Sequence, residues 1–264
     1  MKLLFLGSGS AYTVDADNFQ SNLILTASSG RRLLIDCGSD VRWSLAKQGL
    51  SYLDVTDIYI SHLHADHIGG LEYVGFQTKF DSRCERPRLY IEASLAGPLW
   101  NHALRGGMRV ISGMEAELDT FFDVRIVTAY HPFAWEGTWL EPIPAVHVSG
   151  PVSTVHSYGL LIDADGHRTF LTTDTQFTPS LLSSHYARAD LIFHDCEIGP
   201  VLTGVHADYA DLVRLPAEVR AKTWLYGYQP APLPDAVAHG FCGFVRAGQA
   251  FDLRQHPAIR RASA

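Results

Sequence analysis

The feature that most constrains this chain is the short stretch Ser61–Gly70, which reads SHLHADHIGG. It brings together His62, His64, Asp66 and His67. Side chains two residues apart in an extended segment point to the same side, so the first three of these are expected to converge. Imidazole nitrogen and carboxylate oxygen suit zinc, iron or manganese, and the mixed set disfavours calcium and copper(I). The stretch therefore predicts a metal site rather than a solvated histidine-rich loop.

The flanking residues predict that this stretch connects a strand to a helix. Asp57–Ser61 alternates as a strand does, and Ile68, Leu71 and Val74 recur at helical spacing, with the helix expected to reach about Phe80. Loops held on a rigid scaffold in this way commonly carry functional side chains.

The composition favours one globular unit. Hydrophobic residues make up 47% of the 264 residues, enough for an extensive core, and we expect a single domain over 1–264 with a frayed tail from about residue 254. The net charge of −7 argues against broad nucleic-acid binding. A small anionic substrate is still compatible with that charge, because a bound metal supplies local positive charge.

No segment predicts export or membrane insertion. The apolar opening Met1–Leu6 is too short for a signal peptide, and no apolar run approaches the length of a membrane span. The cysteines Cys37, Cys84, Cys196 and Cys242 lack Cys-x-x-Cys spacing. These features predict a cytoplasmic protein with reduced thiols and no membrane association.

The rest of the chain alternates between predicted strands and helices. We expect strands at Lys2–Leu6, Ser21–Thr26, Arg32–Asp36, Arg88–Glu92, Val124–Thr128 and Lys222–Tyr226, and helices at Val41–Gln48, Leu95–Leu104 and Met114–Thr120. His131–Pro144, rich in aromatic residues, Gly and Pro, predicts a loop, and Gly240–Leu253 predicts a final hairpin.

Polar residues stand at the ends of several apolar strands. His147, Asp174 and the segment His194–Glu197 each follow such a strand in the second half of the chain. Strand ends are where the sites of α/β proteins are built. Asp36, at the end of an earlier strand, has two open interpretations: it orients a metal ligand, or it caps the helix that follows.

The string His-x-His-x-Asp-His followed by Ile-Gly-Gly resembles the signature of the metallo-β-lactamase-fold hydrolases. The opening at Leu4–Ala11 resembles that of the ribonuclease Z and small-phosphodiesterase branch, and Asp36-Cys37-Gly38 follows in the order of that family. The resemblance spans nearly the whole chain. It implies an α/β fold, a four-layer αββα sandwich of two mixed β-sheets flanked by helices.

The resemblance also implies two divalent metal ions, with zinc as the first choice and manganese or iron as alternatives. His62, His64 and His147 would hold one metal, Asp66 and His67 would hold the second, and Asp174 would bridge them. Asp66 would also orient the water that two such metals activate.

Two further residues match the catalytic segments of that branch. Gly204-Val205-His206 resembles the motif whose histidine protonates the leaving group, so His206 is the candidate general acid. Asp195 or Glu197 would orient it. The alternative for His206 is a solvent-facing histidine at the start of a helix.

The chain departs from the pattern of the family at one position. Gly227 stands where the last metal-binding histidine is expected, and a glycine side chain cannot bind metal. The second metal is therefore expected to bind weakly, and Gly227→His is expected to raise its occupancy. The alternatives are a change that traps substrate, catalysis with one metal, a substitute ligand such as Asp208, or a partner-binding protein.

Within the hydrolases, the opening turn, the His194-Asp195 segment and His206 favour cleavage of small phosphodiesters, such as cyclic nucleotides or other cyclic phosphates. The short segment between His147 and Asp174 leaves no room for a tRNA-clamping arm, which disfavours tRNA. The alternatives are hydrolysis of lactones, thioesters or carboxylic esters by the same fold, and a non-catalytic ligand-binding protein. A homodimer would be in keeping with this branch.

Overall fold

Residues 1–254 are described by a computed structural model, in which two seven-stranded β-sheets pack face to face. The strands are β1 (Lys2–Phe5), β2 (Leu23–Thr26), β3 (Arg32–Ile35), β4 (Asp57–Ile60), β5 (Arg88–Glu92), β6 (Val110–Ile111), β7 (Met114–Glu115), β8 (Asp123–Val127), β9 (Phe133–Trp135), β10 (Thr138–Ser149), β11 (Thr154–Ala164), β12 (His167–Leu171), β13 (Leu191–Asp195), β14 (Thr223–Tyr226), β15 (Gly243–Phe244) and β16 (Ala250–Asp252).

The α-helices lie between these strands in the chain. They are α1 (Val41–Lys47), α2 (Ala65–Ile68), α3 (Leu71–Phe80), α4 (Ala93–Pro98), α5 (Arg105–Met108), α6 (Leu118–Phe121), α7 (Pro179–Arg188), α8 (Tyr209–Leu212) and α9 (Ala217–Arg220). A 3₁₀ turn covers Tyr52–Asp54, and a π-helical segment covers Leu99–Leu104.

Both sheets are mixed, as predicted. The first has the order β16-β1-β2-β3-β4-β5-β8 and the second the order β15-β14-β13-β12-β11-β10-β9. In the first sheet β3, β4, β5 and β8 run parallel, and in the second β12 to β15 run parallel. The remaining pairs are antiparallel.

The alternation of side chains along the strands explains the four layers. In β1, Leu3 and Phe5 point between the sheets, whereas Leu6, just after it, packs outward against the helices of the first sheet. A third apolar cluster joins the outer face of the second sheet to α7, α8 and α9. Each fully buried side chain of this kind contributes about 1.5–3 kcal/mol. The predicted αββα sandwich is confirmed.

The parallel strands also position the site. β3 and β4 of the first sheet and β12, β13 and β14 of the second end at one common edge. That edge carries Asp36, His62, Asp174, Asp195 and Gly227, each at a strand end or within three residues of it.

The prediction of a loop over 131–144 is wrong, because β9 and most of β10 lie there. They are joined by Glu136 and Gly137, both with positive φ (47° and 78°), which suits a two-residue hairpin turn. Pro142 and Pro144 make β10 hard to recognise as a strand from the sequence. They lie in the part of the strand beyond its pairing with β9, where their missing N–H groups are tolerated.

Two other secondary-structure predictions need correction. Met114–Thr120 is not one helix: β7 takes its first two residues and α6 begins at Leu118, where Glu117 and Thr120 form a capping box. Gly240–Leu253 is not a hairpin, because β15 pairs with β14 in one sheet and β16 pairs with β1 in the other.

The four cysteines are free thiols, as predicted. No helix among residues 1–254 is both long and apolar enough to cross a membrane. The frayed tail was predicted from about Arg254, which itself pairs with Asp165 at 3.1 Å, while the residues after it lie outside the described part of the chain.

Candidate metal centre

The histidine-rich stretch folds as a strand-to-helix connection, as predicted. It stays extended from the end of β4 through His64, and α2 then begins at Ala65. Asp66 and His67 are therefore presented by a helical turn rather than by the extended run. Gly38 lets this turn approach β3 closely, since a Cβ there would lie 2.0 Å from the carbonyl oxygen of Asp66.

Three imidazoles form the first group of potential ligands. His64 Nδ1 lies 3.1 Å from His62 Nε2 and 3.0 Å from His147 Nε2. His147 comes from β10, where the register with β11 shifts between Val146 and Val148 and leaves His147 outside the ladder. Such a bulge re-aims one side chain, here into the site.

Asp174 lies between this group and the rest of the stretch. Its Oδ2 is 3.9 Å from His62 Nε2, 3.6 Å from His147 Nε2 and 3.3 Å from His67 Nε2. His67 Nε2 is in turn 3.0 Å from Asp66 Oδ2. The structure thus brings all six predicted metal ligands together, with Asp174 in the position expected of a bridging carboxylate.

The residue before Asp174 holds an unusual backbone conformation. Thr173 has a φ of 54°, which a β-branched residue rarely adopts. Its hydroxyl donates to the carbonyl of Thr172 at 2.6 Å and to Ser157 Oγ at 3.2 Å. Backbone strain of this kind persists where the surroundings over-determine it, and it clusters at functional sites.

On the side away from the centre, hydrogen bonds hold the imidazoles of His62, His67 and His147 and so define which of their nitrogens face the centre. Ser61 Oγ donates to Asp36 Oδ2 at 2.8 Å and so accepts from His62 Nδ1 at 3.0 Å. His67 Nδ1 donates to Asp36 Oδ2 at 2.7 Å, and His147 Nδ1 donates to the carbonyl of Val205 at 2.9 Å. Each Nε2 is then left with a free lone pair.

This donor set fits a divalent cation. Three Nε2 lone pairs converge on one buried carboxylate oxygen, an arrangement that is repulsive unless a positive charge lies among them. Burial opposes protonation of His67, but Asp174, Asp36 and Asp66 raise the pKa of His67 well above its usual value. Burial and the neighbouring His67 lower the pKa of His62, which favours the neutral form that a metal requires.

The structure decides the role of Asp36. Its carboxylate accepts the backbone N–H of Ser61 at 2.8 Å and, through Oδ2, orients both His62, by way of Ser61, and His67. It makes no cap on α1, whose preceding residue is Asp40. Asp36 is therefore a residue that positions the ligand imidazoles, and Ser61 is a link that sequence reasoning missed.

Replacing Asp36 by asparagine is expected to weaken metal binding by about 10–100-fold, because an amide group cannot accept at both oxygen positions. Competition with a chelator measures the affinity. Asp54→Asn is the matched control, since Asp54 is a half-buried aspartate of the 3₁₀ turn whose carboxylate pairs with Arg32 and, within the described residues, contacts no imidazole of the centre. Unchanged metal affinity in Asp36→Asn would show that the imidazoles hold their orientation without it.

The candidate general acid pairs with Asp195. His206 Nδ1 donates to Asp195 Oδ2 at 2.8 Å, and the same oxygen accepts the N–H of Thr175 at 2.9 Å. Burial alone would lower the pKa of His206, but the Asp195 carboxylate outweighs it and raises the pKa to about 10. His206 is therefore protonated at neutral pH in the metal-free protein, as a general acid must be.

Glu197 does not orient His206. Its carboxylate accepts the N–H of Thr203 at 3.0 Å and the Gln229 amide at 3.0 Å. These bonds hold the loop that precedes His206 in place. Glu197 therefore positions the loop, whereas Asp195 positions the imidazole.

Asp208 is not a substitute metal ligand. It caps α8, accepting the N–H of Ala210 at 3.2 Å. The expected benefit of Gly227→His also meets an obstacle. Gly227 has a φ of +82°, and a Cβ there would lie 2.5 Å from Asp195 Oδ1, so a histidine cannot enter without displacing that carboxylate.

A cavity of about 690 Å³ opens over the centre. It is lined by His64, Asp66, His147, Asp174 and His206 together with Ser10, Gln20 and Ser39. This volume suits a small molecule that reaches the metal ligands and His206 at once.

Three tyrosines near the motifs have hydrogen-bond partners within the fold. The hydroxyl of Tyr228 is buried between Ser8 Oγ and the carbonyl of Val245, and that of Tyr209 contacts His239. The hydroxyl of Tyr158 meets Ser94 Oγ at 3.1 Å.

With the geometry established, comparison with known proteins identifies the family. The family model described as anti-Pycsar protein Apyc1 matches residues 1–251. This chain belongs to the Apyc1 family. An Apyc1 relative from Paenibacillus harenae is 35% identical over 86% of this chain and 90% of its own length. Another, from the Bacillus phage vB_BveM-Goe7, is 34% identical over 86% of this chain and 88% of its own.

Solved structures confirm the metallo-β-lactamase fold. YhfI, a metallo-β-lactamase fold protein from Bacillus subtilis, matches with a TM-score of 0.71 and 17% identity over 95% of this chain and 99% of its own. A diphosphatase of the PhnP family matches with a TM-score of 0.72 and 18% identity over 95% of this chain and 97% of its own. The short form of human tRNase Z matches with a TM-score of 0.69 and 16% identity over 96% of this chain and 99% of its own. Family, fold and ligand groups together indicate a metal-dependent hydrolase.

Proposed function

We propose that this Apyc1-family protein hydrolyses small phosphodiesters, with cyclic nucleotides or other cyclic phosphates as the preferred class. The observation that carries the proposal is the Asp195–His206 pair, whose imidazole lines the cavity beside Asp174 while Asp195 is buried behind it. A protonated imidazole in that place can donate to an alkoxide leaving group, which a phosphodiester of a sugar hydroxyl releases, whereas a thioester releases a thiolate that needs no such donor.

Two divalent metal ions would be held by the residues described above, Asp174 between them. When bound, they supply Lewis-acid stabilisation of a phosphoryl group and lower the pKa of water. Asp66 lies at the cavity with a partly exposed carboxylate, where it can accept a proton from water and fix its orientation. His206 stands on the other side of Asp174, its Nδ1 3.9 Å from Asp174 Oδ2.

The path of the chain argues for a small substrate. Between His147 and Asp174 lie only the end of β10, then β11 and β12 with the short turns that join these strands, all within the second sheet. A long tRNA-clamping arm has no place in that segment. The relatives are named as anti-Pycsar proteins and one fold neighbour as a diphosphatase, which fits a small anionic substrate.

The test is a substrate panel with the purified protein in zinc and in manganese. We expect metal-dependent hydrolysis of bis(p-nitrophenyl) phosphate and of 3′,5′-cyclic nucleotides, and no turnover of a lactone or a thioester. The same assays after chelation give the control. Lactone or thioester turnover without phosphodiester turnover would overturn the proposal in favour of an ester hydrolase, and no turnover of any would favour a ligand-binding protein.

A further inference from the structure

The residue that faces Gly227 is Asp195. Because β13 and β14 pair in register, Asp195 lies beside Tyr226, and its carboxylate reaches Gly227, the residue that follows β14. A Cβ at position 227 would lie 2.5 Å from Asp195 Oδ1. That oxygen therefore occupies the start of the space that a histidine side chain at this position would need.

Asp195 Oδ1 is buried and has no hydrogen-bond partner among the described residues. The side chain as a whole is 0% exposed. Its other oxygen, Oδ2, is fully used by Thr175 N–H and His206 Nδ1. Leaving one oxygen of a buried carboxylate without a donor or a cation is costly, so this atom points to a missing positive partner.

A second unsatisfied group lies next to it. The hydroxyl of Tyr226, the register partner of Asp195, is also buried without a hydrogen-bond partner. Asp195 Oδ1 is thus unpaired beside the position where the chain lacks its expected ligand. In contrast, the outer nitrogens of His62 and His147 are both bonded, to Ser61 Oγ and to the carbonyl of Val205.

We propose that Asp195 Oδ1 takes the place of the absent histidine as the fourth protein ligand of the second metal, while Oδ2 continues to hold His206. This inference rests on the proposed two-metal function. The second site would then consist of three carboxylates and one imidazole, from Asp66, Asp174, Asp195 and His67. The first site remains rich in nitrogen, with His62, His64 and His147.

The two sites would accordingly select different metals. Imidazole ligands suit zinc, whereas carboxylate-rich sites suit harder ions such as Mn²⁺. Gly227 is then not a defect that leaves the second site weak. It is the small residue that leaves room for the Asp195 carboxylate.

Asp195→Asn tests this assignment with little change of shape. The amide oxygen can keep the bonds to Thr175 N–H and His206, which places the amide nitrogen, a group that cannot bind metal, where Oδ1 stood. The protein is loaded with one equivalent of zinc and titrated with Mn²⁺, and electron paramagnetic resonance measures the free Mn²⁺. We expect one Mn²⁺ per chain in the wild type and at least about 100-fold weaker Mn²⁺ binding in Asp195→Asn.

Asp163→Asn is the matched control. It changes a carboxylate that pairs with Arg168 on the outer side of the same sheet, so it is expected to keep the Mn²⁺ affinity of the wild type. Equal Mn²⁺ affinity in the wild type and Asp195→Asn would overturn the inference and leave the proposed hydrolase untouched. A wild type that binds neither zinc nor Mn²⁺ would overturn the proposed function itself.

Circular dichroism and thermal unfolding establish that each variant is folded. If Asp195→Asn does not fold, Gly227→Ala takes its place, because the added methyl group must displace Asp195 Oδ1. A folded Gly227→Ala protein with unchanged Mn²⁺ affinity would overturn the inference, and one with weakened affinity would support it.

Discussion

Asp174→Asn is expected to lower phosphodiester turnover by at least about 10³-fold, equivalent to ~4 kcal/mol of transition-state stabilisation. Asp174 Oδ2 is the only carboxylate oxygen recorded within 4 Å of His62, His67 and His147 together in the described structure. An asparagine keeps the shape but removes the negative charge that both metal positions share. Both metals should therefore be lost or misplaced.

Steady-state kinetics and metal content per chain measure this result together. Asp163→Asn is the matched control, since Asp163 pairs with Arg168 on the outer side of the same sheet. Asp174→Asn should lose metal as well as activity, and the control should lose neither. A variant that keeps two metals and full turnover would show that the bridging role assigned to Asp174 is wrong.

How far the sequence could predict this site depends on how local each part is. His62, His64, Asp66 and His67 lie in one short segment, so their spacing alone indicated a metal site. His147 and Asp174 required the resemblance to a known family. The bulge that turns His147 inward has no sequence signature here, because it depends on the register between β10 and β11.

The missed elements have identifiable physical causes. The hairpin of β9 and β10 uses Glu136-Gly137 rather than the more familiar Asn-Gly turn, and prolines within β10 disguise a strand that lies partly at an edge. The last two strands resembled a hairpin in the sequence, yet they join different sheets. Only tertiary packing decides such a pairing.

The relation between Gly227 and Asp195 could not be predicted from the sequence, for the same reason. The two residues are far apart in the chain and meet only because β13 and β14 are parallel neighbours in a particular register. The sequence showed a missing ligand. The structure shows a buried carboxylate oxygen beside that position. The second site is therefore expected to prefer a different metal ion rather than to bind its metal weakly.

His206→Ala is expected to reduce turnover by about 10²–10⁴-fold for substrates with an alkoxide leaving group. The imidazole is held protonated by Asp195, which raises its pKa to about 10 after overcoming the opposing effect of burial. An activated ester such as bis(p-nitrophenyl) phosphate releases a stable phenolate and needs no proton. Its turnover should therefore fall far less than that of a cyclic nucleotide.

Comparing the two substrates distinguishes proton donation by His206 from the other role that this residue could have, which is metal binding. His206 also lies in a group with His147 and Asp174 that could hold a metal. If it were a ligand, His206→Ala would lose metal and both substrates would suffer equally. His239→Ala, an exposed histidine that contacts Tyr209, is the control. Selective loss with alkoxide leaving groups and unchanged metal content would assign the proton to His206, since only a general acid distinguishes leaving groups by their basicity.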